Sequence, residues 1–316
     1  MSGFGGWGGG VRGLTSRALA FGLLVVLVAS GAVAVNAAGE PAGDEARSAE
    51  ELPPERVADP AAPVVWRQPR VASTPEEDAK RRRQIDPDAT RVREITSKRS
   101  AFSSLFEKTD GTFDAVVSAT PVHFRVGDRW EQIDARVVAD ADRAGWLRTK
   151  ANGWMARFGP LAEGVEVRVD GEVTRFRPDG AANVSPVIDA DGLVVYADAW
   201  PGVDLRYRVR ADSVKEEIVV RERPAAAEFS FSVAGRELES DPDFRGGLRE
   251  KRAGASRLRV APAEVFDRAG RAVDAARPRL LSEPAPADGS LSSSGWAASS
   301  RLRLAVDGAW WESLSA

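Results

Sequence analysis

The chain has 316 residues, no cysteine, a single histidine and 44 basic against 47 acidic side chains, a net charge of -3. The absence of cysteine excludes disulfides, thiolate metal sites and cysteine nucleophiles. Acids and bases are interspersed, which argues against a nucleic-acid footprint, since that requires a clustered excess of base. Met1–Thr15 is glycine-rich and carries Arg12; Arg17 follows, and residues 18–39 then run without a charge. Their middle, Phe21–Val28, is densely apolar, and the small-residue sites Ala32-Val33-Ala34 and Asn36-Ala37-Ala38 come next. A basic start, a short apolar run and small residues are the layout of an export signal, so residues 1–39 are expected to be a cleaved signal peptide or a signal-anchor helix.

Residues 40–73 are rich in Pro, Ala, Glu and Asp, with few large apolar residues before Val64-Val65-Trp66, and read as a disordered linker. Thr74-Pro75-Glu76-Glu77 is a helix start, with Thr as N-cap, Pro at the first helical position and Glu within the first turn. That helix carries Lys80-Arg81-Arg82-Arg83, with Glu76, Glu77 and Asp78 one turn earlier, and should stop before Asp86-Pro87. Residues 88–99 are expected to add a second short polar helix, so that 74–99 is a short helical segment.

From Ala101 the hydrophobic period changes from helical to two. Gly127-Asp128 lies between His123-Phe124-Arg125-Val126 and Arg129-Trp130-Glu131-Gln132, and Asp170-Gly171 lies between two alternating runs; both are hairpin signals. Val203, Leu205, Tyr207 and Val209 alternate with Asp204, Arg206 and Arg208, after a Pro201-Gly202 turn and before an Ala211-Asp212-Ser213 turn. About ten short strands at such spacing predict an all-β fold over residues 100–316: an antiparallel β-sandwich, or two packed sandwiches, with one wet face on each sheet.

Chemistry has few candidates. His123, the one histidine, alternates against Val122 and Phe124 and is expected on a strand surface. No Gly-x-Ser-x-Gly, His-Glu-x-x-His or phosphate-binding loop occurs. Asp140, Asp142, Asp189 and Asp191 have oxygen-ligand spacing but read more simply as polar turns. Asp204 and Glu216 are a carboxylate pair of the kind a glycosidase needs; Lys215 is expected to pair with Asp204 across the hairpin. Trp130, Trp146, Trp154 and Trp200 are either sugar platforms or core. No catalytic, cofactor or metal residue is therefore assigned. Trp200, Asp204, Lys215 and Glu216 mark a candidate ligand surface on the wet face of the central hairpin.

Several segments carry a resemblance: Lys108-Thr109-Asp110-Gly111-Thr112, Pro121-Val122-His123-Phe124, Trp130-Glu131-Gln132-Ile133-Asp134, Pro201-Gly202-Val203-Asp204-Leu205-Arg206-Tyr207, Val214-Lys215-Glu216-Glu217-Ile218-Val219 and Pro262-Ala263-Glu264-Val265-Phe266-Asp267. Together, over residues 91–312, they resemble the N-terminal β-rich region of secreted actinobacterial DNRLRE-domain and RHS (YD-repeat) wall-associated proteins. The resemblance implies an exported module that precedes a repeat array, in some relatives with a toxin domain, and it carries no catalytic residue. Relatives continue past the segment matching Val306–Trp311, so a truncated β-region is expected. The combined reading is a non-catalytic, secreted or surface-tethered scaffold that needs no cofactor. Its expected partners are a cell-wall polymer or downstream repeat domains, and it meets a membrane only through its N-terminal segment. The alternative is an extracellular carbohydrate-binding or glycoside-hydrolysing protein using the Asp204/Glu216 region.

Overall fold

The computed structural model describes residues 19–27, 88–222, 224, 227–252, 256–284 and 297–314. The linker expected over 40–73 and the helix expected from Thr74 lie outside the described residues. In chain order the strands begin with β1 (Leu19–Leu27), β2 (Arg91–Glu94), β3 (Ser103–Lys108), β4 (Phe113–Val117), β5 (His123–Val126), β6 (Arg129–Gln132) and β7 (Asp134–Ala139). They continue with β8 (Leu147–Ala151), β9 (Trp154–Phe158), β10 (Val165–Val169), β11 (Glu172–Pro178), β12 (Val187–Ile188), β13 (Val194–Trp200), β14 (Val203–Val209) and β15 (Ser213–Val220). The last are β16 (Glu228–Ala234), β17 (Leu238–Ser240), β18 (Leu248–Glu250), β19 (Leu258–Val260), β20 (Glu264–Phe266), β21 (Arg279–Pro284) and β22 (Ser300–Ala305), followed by a short helix α1 (Gly308–Ser313).

The described residues divide into two compact units. The smaller holds residues 88–95 and Leu105–Ala115. Here residues 91–94, expected as helix, are strand β2, paired antiparallel with β3 from Arg91 opposite Lys108 to Glu94 opposite Phe106. The ion pair Arg93–Glu107 (2.6 Å) joins β2 to its neighbour β3, and Arg91–Asp114 (2.6 Å) reaches from β2 to β4 on the far side of β3. The segment is too polar to bury a helical stripe, whereas a strand pairs its backbone and lets its side chains meet in cross-strand pairs.

The larger unit is the sandwich. One sheet has nine strands, in the order β12-β13-β14-β15-β1-β19-β18-β17 with β20 pairing β1; the other has eight, in the order β21-β22-β16-β11-β10-β9-β8-β7. Every pairing in both is antiparallel. The all-β antiparallel class is thus the one observed. The apolar run expected as a signal or anchor helix is, in its Leu19–Leu27 portion, a strand of the large sheet. A short apolar run has no period that separates helix from buried strand, and here two sheet edges supply the pairing that settles it.

The core lies between the sheets. Val194, Tyr196, Val203, Leu205, Ile218, Leu258 and Val260 from one face meet Ala156, Phe158, Val165, Val167, Phe231, Val233, Leu302 and Leu304 from the other. Aromatic rings join the sheets: Phe158 of β9 lies 5.4 Å from Tyr207 of β14, which Tyr196 of the same sheet meets edge-on at 6.0 Å. Trp311 of α1 joins this core, its helix N-capped by the Asp307 side chain accepting from the Trp310 N–H at 2.9 Å.

The predicted turns are present. Asp170 (φ 50°) and Gly171 (φ 84°) join β10 to β11 with both residues left-handed, as a two-residue type I′ hairpin requires. Gly235 has φ 92° as well, but there an added Cβ would run into the Val173 carbonyl oxygen, whereas at Gly171 it would meet open space. Gly235→Ala is therefore expected to lower unfolding free energy by more than about 2 kcal/mol, and Gly171→Ala by only about 1 kcal/mol. Urea unfolding of the two variants measures that order; equal losses would contradict the close packing of Gly235.

Candidate functional site

The hairpin β14–β15 sets the geometry of the predicted surface. Its register pairs Val203 with Val220, Asp204 with Val219, Tyr207 with Glu216 and Val209 with Val214. Residues directly opposite share a face, so Val203, Leu205, Tyr207, Val214, Glu216, Ile218 and Val220 form one face, and Asp204, Arg206, Lys215 and Glu217 the other. Glu216 therefore does not decorate the wet face. It points into the core and is 5% exposed. The signal was present in the sequence: Glu216 has the parity of Val214, Ile218 and Val220.

Glu216 lies among Val165, Val167, Phe176, Val214, Phe231 and Tyr207, beside a void of about 20 Å³. Its carboxyl hydrogen-bonds the Tyr207 phenol, while Oε1 has no hydrogen-bond partner among the described residues. Burial pushes the carboxyl up from 4.5 to about 7, with the Tyr207 hydrogen bond acting in the opposite direction. Burial, reinforced by the charge of Glu216, holds the Tyr207 phenol well above its ordinary value.

Asp204 faces outward but is only 6% exposed. Its Oδ1 accepts from the backbone N–H of Asp198 at 3.0 Å and pairs with Arg221 at 3.0 Å. Asp198 has φ 51° and lies where the β13–β14 register shifts, so Asp204 holds a bulge in place. Lys215 does not reach Asp204. It pairs with Glu217 at 2.8 Å, and its Nζ lies 5.7 Å from the Phe266 ring centre. Trp200 donates its indole N–H to the Asp179 carbonyl at 3.0 Å and packs on Phe229 at 5.0 Å. Asp204 and Glu216 thus sit on opposite faces of one hairpin and cannot flank a common bond, as a two-carboxylate centre requires.

The other candidates are also taken up by the fold. Asp140 is enclosed and pairs with Arg157 at 2.8 Å; its Oδ1 also caps the Asp142 N–H at 3.0 Å. Asp189 Oδ1 accepts from the N–H groups of Asp191 (2.9 Å) and Leu193 (2.8 Å), a polar turn. Among the described residues no group of three or more His, Asp or Glu converges as a metal cradle. His123, expected at a surface, is buried, with Nδ1 2.8 Å from the Ser100 carbonyl oxygen and Nε2 3.5 Å from Ser104 Oγ. The segment 100–104 covers that face of the two-stranded β5–β6 sheet, which alternation within a single strand does not reveal. Trp154 is buried in the core and donates to the Ala211 carbonyl at 2.9 Å, Trp146 is buried beneath Arg143 at 4.8 Å, and Trp130 stacks under Arg125 at 5.0 Å.

Two features escaped the sequence reading. Glu166 is 3% exposed on the outer face of the eight-stranded sheet, yet it is held by Arg143 (2.9 Å) and Arg175 (3.0 Å). Register alone places it opposite Arg157 and Arg175. A cleft of about 280 Å³ gathers Arg277, Arg279 and Arg303 with Glu228 and Asp307. The β21–β22 pairing assembles it from positions distant in sequence, and Arg303 is already engaged by Glu283 at 2.9 Å. No family model, curated protein or solved structure matches the chain.

Because Glu216 takes up its proton more readily folded than unfolded, its contribution to stability is fully present below about pH 4.5 and is lost as pH rises through about 7. Glu216→Gln is expected to remove that slope and to raise stability at pH 8 by roughly 3 kcal/mol. Thermal or urea unfolding from pH 4 to pH 9 measures it. A wild-type curve that rises over this range, or a variant with unchanged slope, would contradict the burial of this carboxyl.

Proposed function

We propose that the chain is an exported, non-catalytic β-sandwich module that serves at the cell surface as an interaction or presenting scaffold, as its resemblance to wall-associated repeat proteins implies. The observation that carries this reading is the use made of the candidate chemistry. Glu216 is core, Asp204 locks a bulge through Arg221, Trp200 seals the join between the sheets, and Lys215 pairs with Glu217. These are the roles of a scaffold's side chains, with polar groups spent on holding the sheets in register. The Arg12 and Arg17 start and the uncharged residues 18–39 support export. Among the described residues no helix is long and apolar enough to cross a membrane. Its ligands would be wall polymer or adjoining repeat domains, met through the exposed outer faces and loops.

Export is tested with the full chain carrying a C-terminal epitope in a bacterial host. Protease added to intact cells is expected to remove the epitope, and Arg12→Glu with Arg17→Glu to protect it; an epitope protected in the unaltered chain would overturn the export reading. A polysaccharide hydrolysis screen of the purified chain is expected to show no turnover. Turnover by the unaltered purified chain would overturn the scaffold reading.

A further inference from the structure

The large sheet is continuous only through β1, which stands between β15 and the β19 and β20 strands. On one side β15 pairs with it over its whole length, from Leu19 opposite Val220 to Val26 opposite Ser213. On the other side β20 pairs with Ala20–Gly22 and β19 with Val25–Leu27. Two rails therefore bound a slot one strand wide, about 10 Å across at ordinary strand spacing. Their inward residues Val214, Ile218, Val220, Leu258, Val260 and Val265 are all buried, and the buried Glu216 shares the β15 face, opposite Leu23. Across the slot's outer side, Lys215 of β15 reaches over the Phe266 ring of β20 at 5.7 Å.

The occupant of this slot is not joined to either rail by a hairpin. Residues 28–95 separate β1 from the next described residue of the same unit, and β15 lies nearly two hundred positions further on. Occupancy is thus set by strand pairing rather than by a tight turn. Withdrawing β1 would leave two strand edges with unpaired backbone groups, a state that recruits a strand. The slot also specifies its ligand. A filler must run antiparallel to β15, carry no proline at the paired positions and bring no charge to the face shared with Val214, Ile218 and Val220.

We propose that the slot between β15 and the β19/β20 pair is a strand-acceptor site. It is filled in cis by Leu19–Leu27, and when that run is withdrawn it takes an uncharged, apolar extended segment of another polypeptide. This holds whether or not the chain is exported; leader cleavage is one means of withdrawal, and any other that removes residues 19–27 serves equally.

The test uses the full chain with a specific protease site inserted after Gly39, purified and cut after folding, and a fluorescent synthetic peptide of Ala18–Leu27 flanked by lysines. The cut chain is expected to take up the peptide at least about tenfold more than the uncut chain, whose own strand competes from within. A peptide carrying Leu23→Pro and Val25→Pro is expected not to be taken up. Amide exchange at 214–220 and 258–260 should speed up when the cut fragment is removed and slow again when peptide is added. Three results overturn the proposal: a fragment that excess peptide cannot displace; a fragment that leaves while those amides stay protected and no peptide binds; or a cut chain that pairs with itself and excludes the peptide. Because the assay uses purified protein, failure of export in intact cells leaves its outcome unaffected.

Discussion

The sandwich depends on one face of one hairpin meeting the opposite sheet. Tyr207, at the middle of β14, contacts Phe158 from the other sheet and Tyr196 beside it, and Tyr196 in turn donates its hydroxyl to the Gly159 carbonyl at 2.9 Å. A second contact, Trp200 on Phe229 and Phe231, closes the same interface at the end of β13. Large rings with a polar tip suit this position because they fill the space between sheets and still satisfy their donors. A slip of one residue in β14 would turn Asp204, Arg206 and Arg208 inward, so the interface and the register specify each other.

That constraint also decides where chemistry can occur. Charged side chains on outward positions find partners across strands, as Glu166 does with Arg143 and Arg175, and Asp204 with Arg221. Glu216 is the exception. Its strand position commits it to the core, where it hydrogen-bonds the Tyr207 hydroxyl and its proton affinity rises. A buried carboxyl of this kind makes the inter-sheet contact itself sensitive to pH near neutrality. It marks a place where a polar group stands in the core, beside a void of about 20 Å³.

The strand β1 raises a different issue. Its sequence has the apolarity of an export signal, and its place in the fold is the middle of the larger sheet. These two roles draw on one property, since a run without charge or proline can enter a hydrocarbon phase as a helix or a sheet slot as a strand. In the sheet this run is paired with β15 on one side and with the short strands β19 and β20 on the other.

Much of the architecture was legible locally. Period-two alternation in β10, β11, β14 and β15 and the turns at Gly127-Asp128, Asp170-Gly171 and Pro201-Gly202 all report backbone preferences that act within a few residues. Even the inward direction of Glu216 was written in its parity with Val214 and Ile218. By itself the sequence thus determined the antiparallel class, the main hairpins and which face of each strand is apolar. Only the tertiary structure decided the rest: that Leu19–Leu27 pairs as a strand, that residues 91–94 are not helix, that segment 100–104 buries His123, and that Asp204 is held by Arg221 instead of Lys215. The reason is physical. Strand partners and ion-pair partners are chosen between segments far apart in the chain, and no local preference encodes which edge will be open when a segment arrives.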